Sequence, residues 1–170
     1  MKVVNGDLFD TILPIIAHQT NCMGAMKSGV AKQVKEKYSG AFKVYKEKLK
    51  EKEPEKVLGT SAVYFGVDKV IMNIYGQFDY RHTPVIGLSS SFDFIEQYTD
   101  YDAFRSGMID GIAQIRDFVA DSTLPSVEKL QIAIPYRIGC DRGGGDWEEM
   151  KKILLDIERI YNVEFTAYKL

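Results

Sequence analysis

The chain has 170 residues, with 45% hydrophobic and 27% charged side chains and a formal net charge of -2. That is a one-domain length, and a chain of this size hides roughly 70% of its unfolded surface without staples. The composition is that of an ordinary soluble globular protein, and the slight negative charge gives no nonspecific grip on nucleic acid or an anionic membrane. Residues 1–170 are read as a single domain.

Short apolar runs alternate with helical periods along the chain. "MKVV", "ILPIIAH", "VLGTSAVYF", "KVIMNIY", "LQIAIPY" and "VEFTAY" are β-branched and aromatic, and several are apolar on both faces, so six strands are predicted. Val30, Val34, Tyr38, Phe42, Tyr45 and Leu49 recur at spacings of three and four, which predicts a first helix broken in two at Gly40. The lysine-rich tract "KQVKEKYSGAFKVYKEKLKEKEPEK" leaves a local basic patch open, but its interleaved glutamates read as a solvated helix face. Its end, "KEKEPEK", is a charged surface turn. Phe104, Met108, Ile112, Ile115 and Val119 predict a second helix. Trp147, Met150, Ile153, Leu154, Ile157 and Tyr161 predict a third, with Asp146 and Glu149 as a capping-box-like pair at its start. Residues 76–100 show no clean period, and an irregular segment that long inside a domain is usually functional or mobile. Strands alternating with helices imply an α/β sandwich around a mixed sheet.

Neither Cys22 nor Cys140 belongs to a disulfide framework, and both suit a reducing cytosol. "MKVVNGDLFD" has no long apolar core and is not read as a signal peptide. No apolar run approaches the ~20 residues of a membrane helix. No association with a membrane is expected.

Two segments share one grammar of strand, polar glycine-rich loop and helix. In "AHQTNCMGAMKSGVAKQVKEKY", Gly24 and Gly29 let the backbone approach a ligand, and His18 and Asn21 face sugar or phosphate oxygens. A helix start behind such a loop offers free N–H groups and suits phosphate. The alternative is a turn whose glycines solve only a steric problem. "IPYRIGCDRGGGDWEEM" repeats the arrangement with Gly139, Gly143, Gly144 and Gly145. Consecutive glycines weaken a fold unless backbone must come close to something. Two such loops on one sheet edge imply a ligand with more than one phosphate.

"GDLF", "HQTNCMGAMKSGVA", "NIYGQ", "YTDYDAF" and "PYRIGCDRGGGDWEE" stand in the order that resembles a macrodomain. The resemblance runs from Asn5 to the final strand. It points to the compact branch of phage-encoded and yeast ADP-ribose 1''-phosphate phosphatases, the terminal ADP-ribose protein glycohydrolase and macrodomain antitoxins. It implies a three-layer α/β/α sandwich on a central mixed sheet of about six strands. By this resemblance Asp7 receives the adenine amine and Leu8 lines the adenine pocket. Asn21 contacts the distal ribose. Cys22, Met23, Gly24, Ser28, Gly29 and Val30 belong to the first phosphate-facing loop and the helix start behind it. Ile138, Gly139, Cys140, Asp141, Arg142, Gly143 and Gly144 form the second, closing over the diphosphate and distal ribose. Tyr168 falls near the adenine side.

The glycohydrolases of this branch resemble one another in a lysine after the "NIYGQ"-type strand and, in one enzyme, an aspartate inside the second loop. Here Gln77 and Gly143 occupy those positions, which argues against a Schiff-base route. The phosphatases carry a histidine where His18 stands. The implied reaction is hydrolysis of ADP-ribose 1''-phosphate to ADP-ribose and phosphate. Asn21 orients the ribose, His18 moves a proton, Asp141 is a second acid or base, and Arg142 steadies the terminal phosphate. For His18 the alternative is a structural tie from the strand end to a neighbouring loop, and Arg142 can equally be solvent-facing. Two other functions stay open: a hydrolase freeing ADP-ribose from protein or nucleic acid, and a module that holds ADP-ribose without turnover. Cys22, Cys140, His18 and His82 match no zinc spacing, so no metal or other cofactor is expected and the cysteines are read as free thiols. Arg81 and His82 can form a lid or merely coat the surface. The partner is ADP-ribose or its 1''-phosphate, with ADP-ribosylated macromolecules as the alternative. A cytoplasmic monomer is expected.

Overall fold

The computed structural model describes residues 1–80 and 98–170, plus the backbone of two short strands at 84–86 and 92–94. Arg81 and His82 lie outside the described residues, so the proposed lid does too.

Six strands form the main sheet: β1 (Lys2–Asn5), β2 (Ile15–Asn21), β3 (Ser61–Phe65), β4 (Val70–Gln77), β7 (Leu130–Pro135) and β8 (Val163–Lys169). A separate antiparallel pair, β5 (Pro84–Ile86) and β6 (Phe92–Phe94), falls in the segment that shows no sequence period. The main sheet runs β1-β8-β7-β2-β4-β3. Every pairing in it is parallel except β3 with β4. Five strands therefore end on one edge, the place where α/β sheets take ligands.

The strand period decides which layer each side chain enters. Ile15 and Ala17 join Met72, Ile74, Ile132 and Ile134 in the cluster under helices α4 (Tyr101–Ala120) and α5 (Trp147–Tyr161). Ile16 turns the other way, toward Ile71, Ala133, Val34 and Ala41, beneath α1 (Gly29–Lys37) and α2 (Ser39–Glu51). With helices on both faces, β2, β4 and β7 are apolar on both, and each fully buried large side chain contributes about 1.5–3 kcal/mol.

Three expectations shift. The break between α1 and α2 falls at Tyr38 (φ -131°, ψ 74°), and Gly40 lies inside the first turn of α2. Gly40 serves packing instead, since a Cβ there would overlap the Tyr64 ring. The run predicted as one strand from Val57 to Phe65 opens with a helical turn, α3 (Pro54–Val57), because Pro54 takes the first helical position. At α5, Asp146 Oδ1 accepts from Glu149 N at 3.1 Å, but the Asp146 amide donates to Tyr101 Oη and Glu149 pairs with Lys152. One arm of the capping box forms and the other is replaced.

Helix α4 sits close on the sheet because Gly107 faces it. A Cβ on Gly107 would stand 2.8 Å from Ile74 Cγ2 and 2.9 Å from Thr60 O. That carbonyl is pinned by the Tyr75 amide at 3.0 Å and cannot yield cheaply. Helix propensity alone favours Gly107→Ala by about 1 kcal/mol. The overlap dominates, and urea unfolding of Gly107→Ala should show a loss of about 1–3 kcal/mol. A gain in stability would refute this packing.

Candidate functional site

A cavity of about 720 Å³ opens at the carboxyl edge, over the ends of β2, β4 and β7. One wall is the loop after β2 and the start of α1; the other is the loop after β7. Of the residues singled out in the sequence, His18, Asn21, Ser28, Gly29 and Val30 line the first wall. Ile138, Gly139, Asp141, Arg142 and Gly143 line the second.

The remaining ones stand outside this lining. Cys22 is buried among Met26, Tyr45, Val57 and Tyr75, and Cys140 is buried with the α4 and α5 cluster. Burial pushes the Cys22 thiol up to about 12 and the Cys140 thiol up to about 11. Neither is a thiolate nucleophile at neutral pH. Met23 and Gly24 shape the first loop, with Gly24 at φ +74° and a Cβ there 2.7 Å from Lys46 Nζ. Gly144 is exposed at φ +66°. Asp7 and Leu8 follow β1 on the same sheet edge, beyond β8. Asp7 Oδ1 accepts from Phe9 N at 2.9 Å and caps the turn Leu8–Asp10, while Leu8 is buried. Tyr168 Oη bonds Thr11 Oγ1 at 2.7 Å.

Helix α1 begins in an unusual way. Ser28 holds the cap position with extended backbone but makes no side-chain cap bond, and no acidic residue lies in the first turn. The first helical bond runs from Lys32 N to Ser28 O at 3.2 Å, so the Gly29, Val30 and Ala31 amides precede it. Gly29 turns the chain into the helix at φ +58°. By contrast, α5 is closed by Asp146. An uncapped helix start facing a cavity favours an anion.

Asn21 organises the first loop. Its Nδ2 donates to Ala25 O at 2.8 Å, and its Oδ1 accepts from Met23 N at 2.9 Å and Tyr45 Oη at 3.0 Å. A register shift between Thr20 and Asn21 sets this side chain opposite Gln77.

His18 is only 1% exposed, and its Nε2 lies 2.8 Å from Asn73 Oδ1. Asn73 donates its amide protons to Ala41 O and Ala62 O, so its oxygen faces the ring and Nε2 carries the proton. Nδ1 is therefore a bare lone pair, and among the described residues it has no partner. Burial holds the imidazole well below its ordinary 6.5, at about 4, and the Asn73 bond offsets this only in part. At neutral pH His18 is an acceptor and not a proton donor. The tie it makes is to a neighbouring strand and not to a loop.

Several lining residues are ones to which the sequence analysis assigns no role. Gln19, Lys27, Tyr80, Tyr136 and Arg137 all border the cavity. Arg137 adopts φ 58°, a left-handed conformation, directly after Tyr136. Lys27 stands just before the α1 start, between the glycines of the first loop. Among the described residues, no group of three His, Cys, Asp or Glu is placed to hold a metal. Among them also, no helix is long and apolar enough to cross a membrane.

The His18 shift has a measurable sign. The unfolded imidazole takes its proton near 6.5, before the folded one at about 4. This contribution is complete above pH 6.5 and fades as pH falls toward 4. Unfolding of the parent at pH 7.5 and 4.5 should lose about 2–3 kcal/mol more than His18→Gln loses over the same interval. Equal losses would contradict a buried neutral ring.

No family model matches the chain. It is 24% identical over 178 residues to an ADP-ribose 1''-phosphate phosphatase of Scheffersomyces stipitis, covering 99% of this chain and 98% of that protein. The macrodomain of Mycobacterium tuberculosis DarG superposes with a TM-score of 0.71 at 24% identity, over 99% of this chain and 97% of that one. Thermosipho africanus DarTG, solved in complex with ADP-ribose, gives a TM-score of 0.62 at 18% identity, over 98% of this chain and 41% of that one. The order of its strands, the helices on both faces and these likenesses give the chain the macrodomain fold.

Proposed function

We propose that this chain binds ADP-ribose in the cavity at the carboxyl edge and hydrolyses ADP-ribose 1''-phosphate to ADP-ribose and phosphate. The observation that carries the reading is the uncapped start of α1, whose first residues line a cavity bounded opposite by a second glycine-rich loop. The phosphatase name of the Scheffersomyces relative and the ADP-ribose bound to the Thermosipho protein support it.

In this reading the diphosphate takes the position of the missing helix cap, and the α1 amides hold it together with the backbone of residues 138–144. Asp7 and Leu8, at the end of β1, serve the adenine. Asn21 spends its oxygen inside the loop but retains one Nδ2 proton for a ribose oxygen. His18, with Nε2 committed to Asn73, accepts a hydrogen bond through Nδ1 and orients the ribose or the attacking water.

The water oxygen bonds to phosphorus, the bond from phosphorus to the anomeric oxygen breaks, and one proton passes from the water to that oxygen. Asp141, exposed on the rim, carries that proton, and Arg142 beside it offsets the phosphate charge. Such transition states depend more on positioning and charge than on a strong base, which suits a site whose histidine is a weak one. A Schiff-base route finds no amine at the end of β4, where Gln77 bonds Gln19 and the Asp79 carbonyl. The protein acts as a single domain and a monomer in the cytoplasm, where both thiols stay reduced.

Calorimetry with ADP-ribose should show one site per chain, and the 1''-phosphate should release phosphate at a rate that Asp141→Ala lowers. Phosphate release absent in a protein that binds ADP-ribose would leave a binding module only. Ser28→Asp places a carboxylate where the diphosphate lies, and affinity should fall about tenfold or more while the fold persists. Unchanged affinity in that variant would refute the pose.

A further inference from the structure

The loop after β7 is held by Gln19 and Thr99, side chains to which the sequence analysis assigns no role. Gln19 Nε2 donates to Gln77 Oε1 and to Thr99 Oγ1, each at 2.8 Å. Thr99 Oγ1 donates to Gly139 O at 2.6 Å. The Tyr98 and Thr99 amides donate to Gly143 O at 2.8 and 2.9 Å, and Gly145 N donates to Gly139 O at 3.0 Å. A Cβ on Gly143 would overlap Thr99 Oγ1, and one on Gly139 would stand 3.3 Å from it. The openness of this loop thus answers in part to Thr99, against which the glycines are packed.

The donor pattern is forced. Gln77 spends its Nε2 on Asp79 O at 2.9 Å, so its oxygen must accept. Thr99 spends its single hydroxyl proton on Gly139 O, so it must accept from Gln19. Gln19 Oε1 is then left buried without a partner among the described residues. An unmet buried acceptor costs stability, and in a native fold it calls for an explanation. The cross-link made by the other end of the same amide supplies one.

The cross-link also reaches the opposite wall. Gln77 bridges Thr99, and Asp100 N donates to Gly76 O at 2.9 Å, so residues 76–79 and 98–100 form one paired stem. On its far side, Cys22 N donates to Phe78 O at 2.9 Å. One stem is bonded to both glycine-rich loops.

We propose that Gln19 and Thr99 are positioning residues that set the shape of loop 139–145 and tie it, through the stem, to the first loop. The ligand consequence rests on the ADP-ribose reading; the cross-link itself does not. Thr99→Val keeps the size and removes the hydroxyl, while Thr99→Ser keeps the hydroxyl. Amide exchange of Gly145, read without ligand, should accelerate about tenfold or more in Thr99→Val and stay within about threefold of the parent in Thr99→Ser. The ADP-ribose Kd should rise about tenfold in the valine variant and recover in the serine variant. If Thr99→Val does not fold, Gln19→Met cuts the same link from β2 and should show the same faster exchange. A folded valine variant with parental Gly145 exchange overturns the proposal, as does a serine variant as impaired as the valine one. If the parent binds no ADP-ribose, the functional reading falls, and the exchange measurement still decides the cross-link.

Discussion

The bond from His18 to Asn73 is where an apolar sheet admits a polar floor. Two strands that are buried on both faces can carry a histidine and an asparagine only if each polar atom is met, because an unmet one costs about 1–3 kcal/mol. Asn73 meets that condition with Ala41 O and Ala62 O, and these partners lie on α2 and β3. One amide therefore joins β2, β4, β3 and α2. The remaining ring nitrogen is the exception, buried and without a partner among the described residues, in a side chain that borders the cavity.

From that fixed point the two walls follow different rules. The first loop is shaped by Asn21, which folds the chain back on itself and delivers it to an uncapped helix. Its glycines answer to backbone angle, with Gly24 and Gly29 both at positive φ. In the second loop Gly143 answers to crowding against Thr99, and Gly144 to angle. Backbone angle is an origin the two loops share, through Gly24 and Gly29 in one and Gly139 and Gly144 in the other, while crowding against Thr99 belongs to the second loop.

Much of the frame was legible because burial on both faces leaves unbroken apolar runs, as in "IIA" of β2 and "VIM" of β4. The helix stripes were legible for the same reason. The pause at Tyr38 was not, since a glycine two residues on is a louder signal than a change of backbone angle. The pair β5 and β6 was hidden by being three residues long in each strand. In the site, glycine loops announced themselves, but Gln19, Thr99 and Lys27 are ordinary polar residues until the fold joins positions 80 apart, as it does for Gln19 and Thr99. The depressed basicity of His18 was also out of reach, because it arises from enclosure and not from any neighbour in sequence.

Arg137 draws one more consequence. It holds a left-handed backbone at φ 58° where β7 gives way to the cavity wall. Asparagine and glycine adopt that angle with ease, unbranched side chains tolerate it, and valine, isoleucine and threonine resist it. The mouth is thereby closed to a whole class of mutational drift. Long flexible side chains can be exchanged there, while branched ones are rejected by the main chain before any ligand is met.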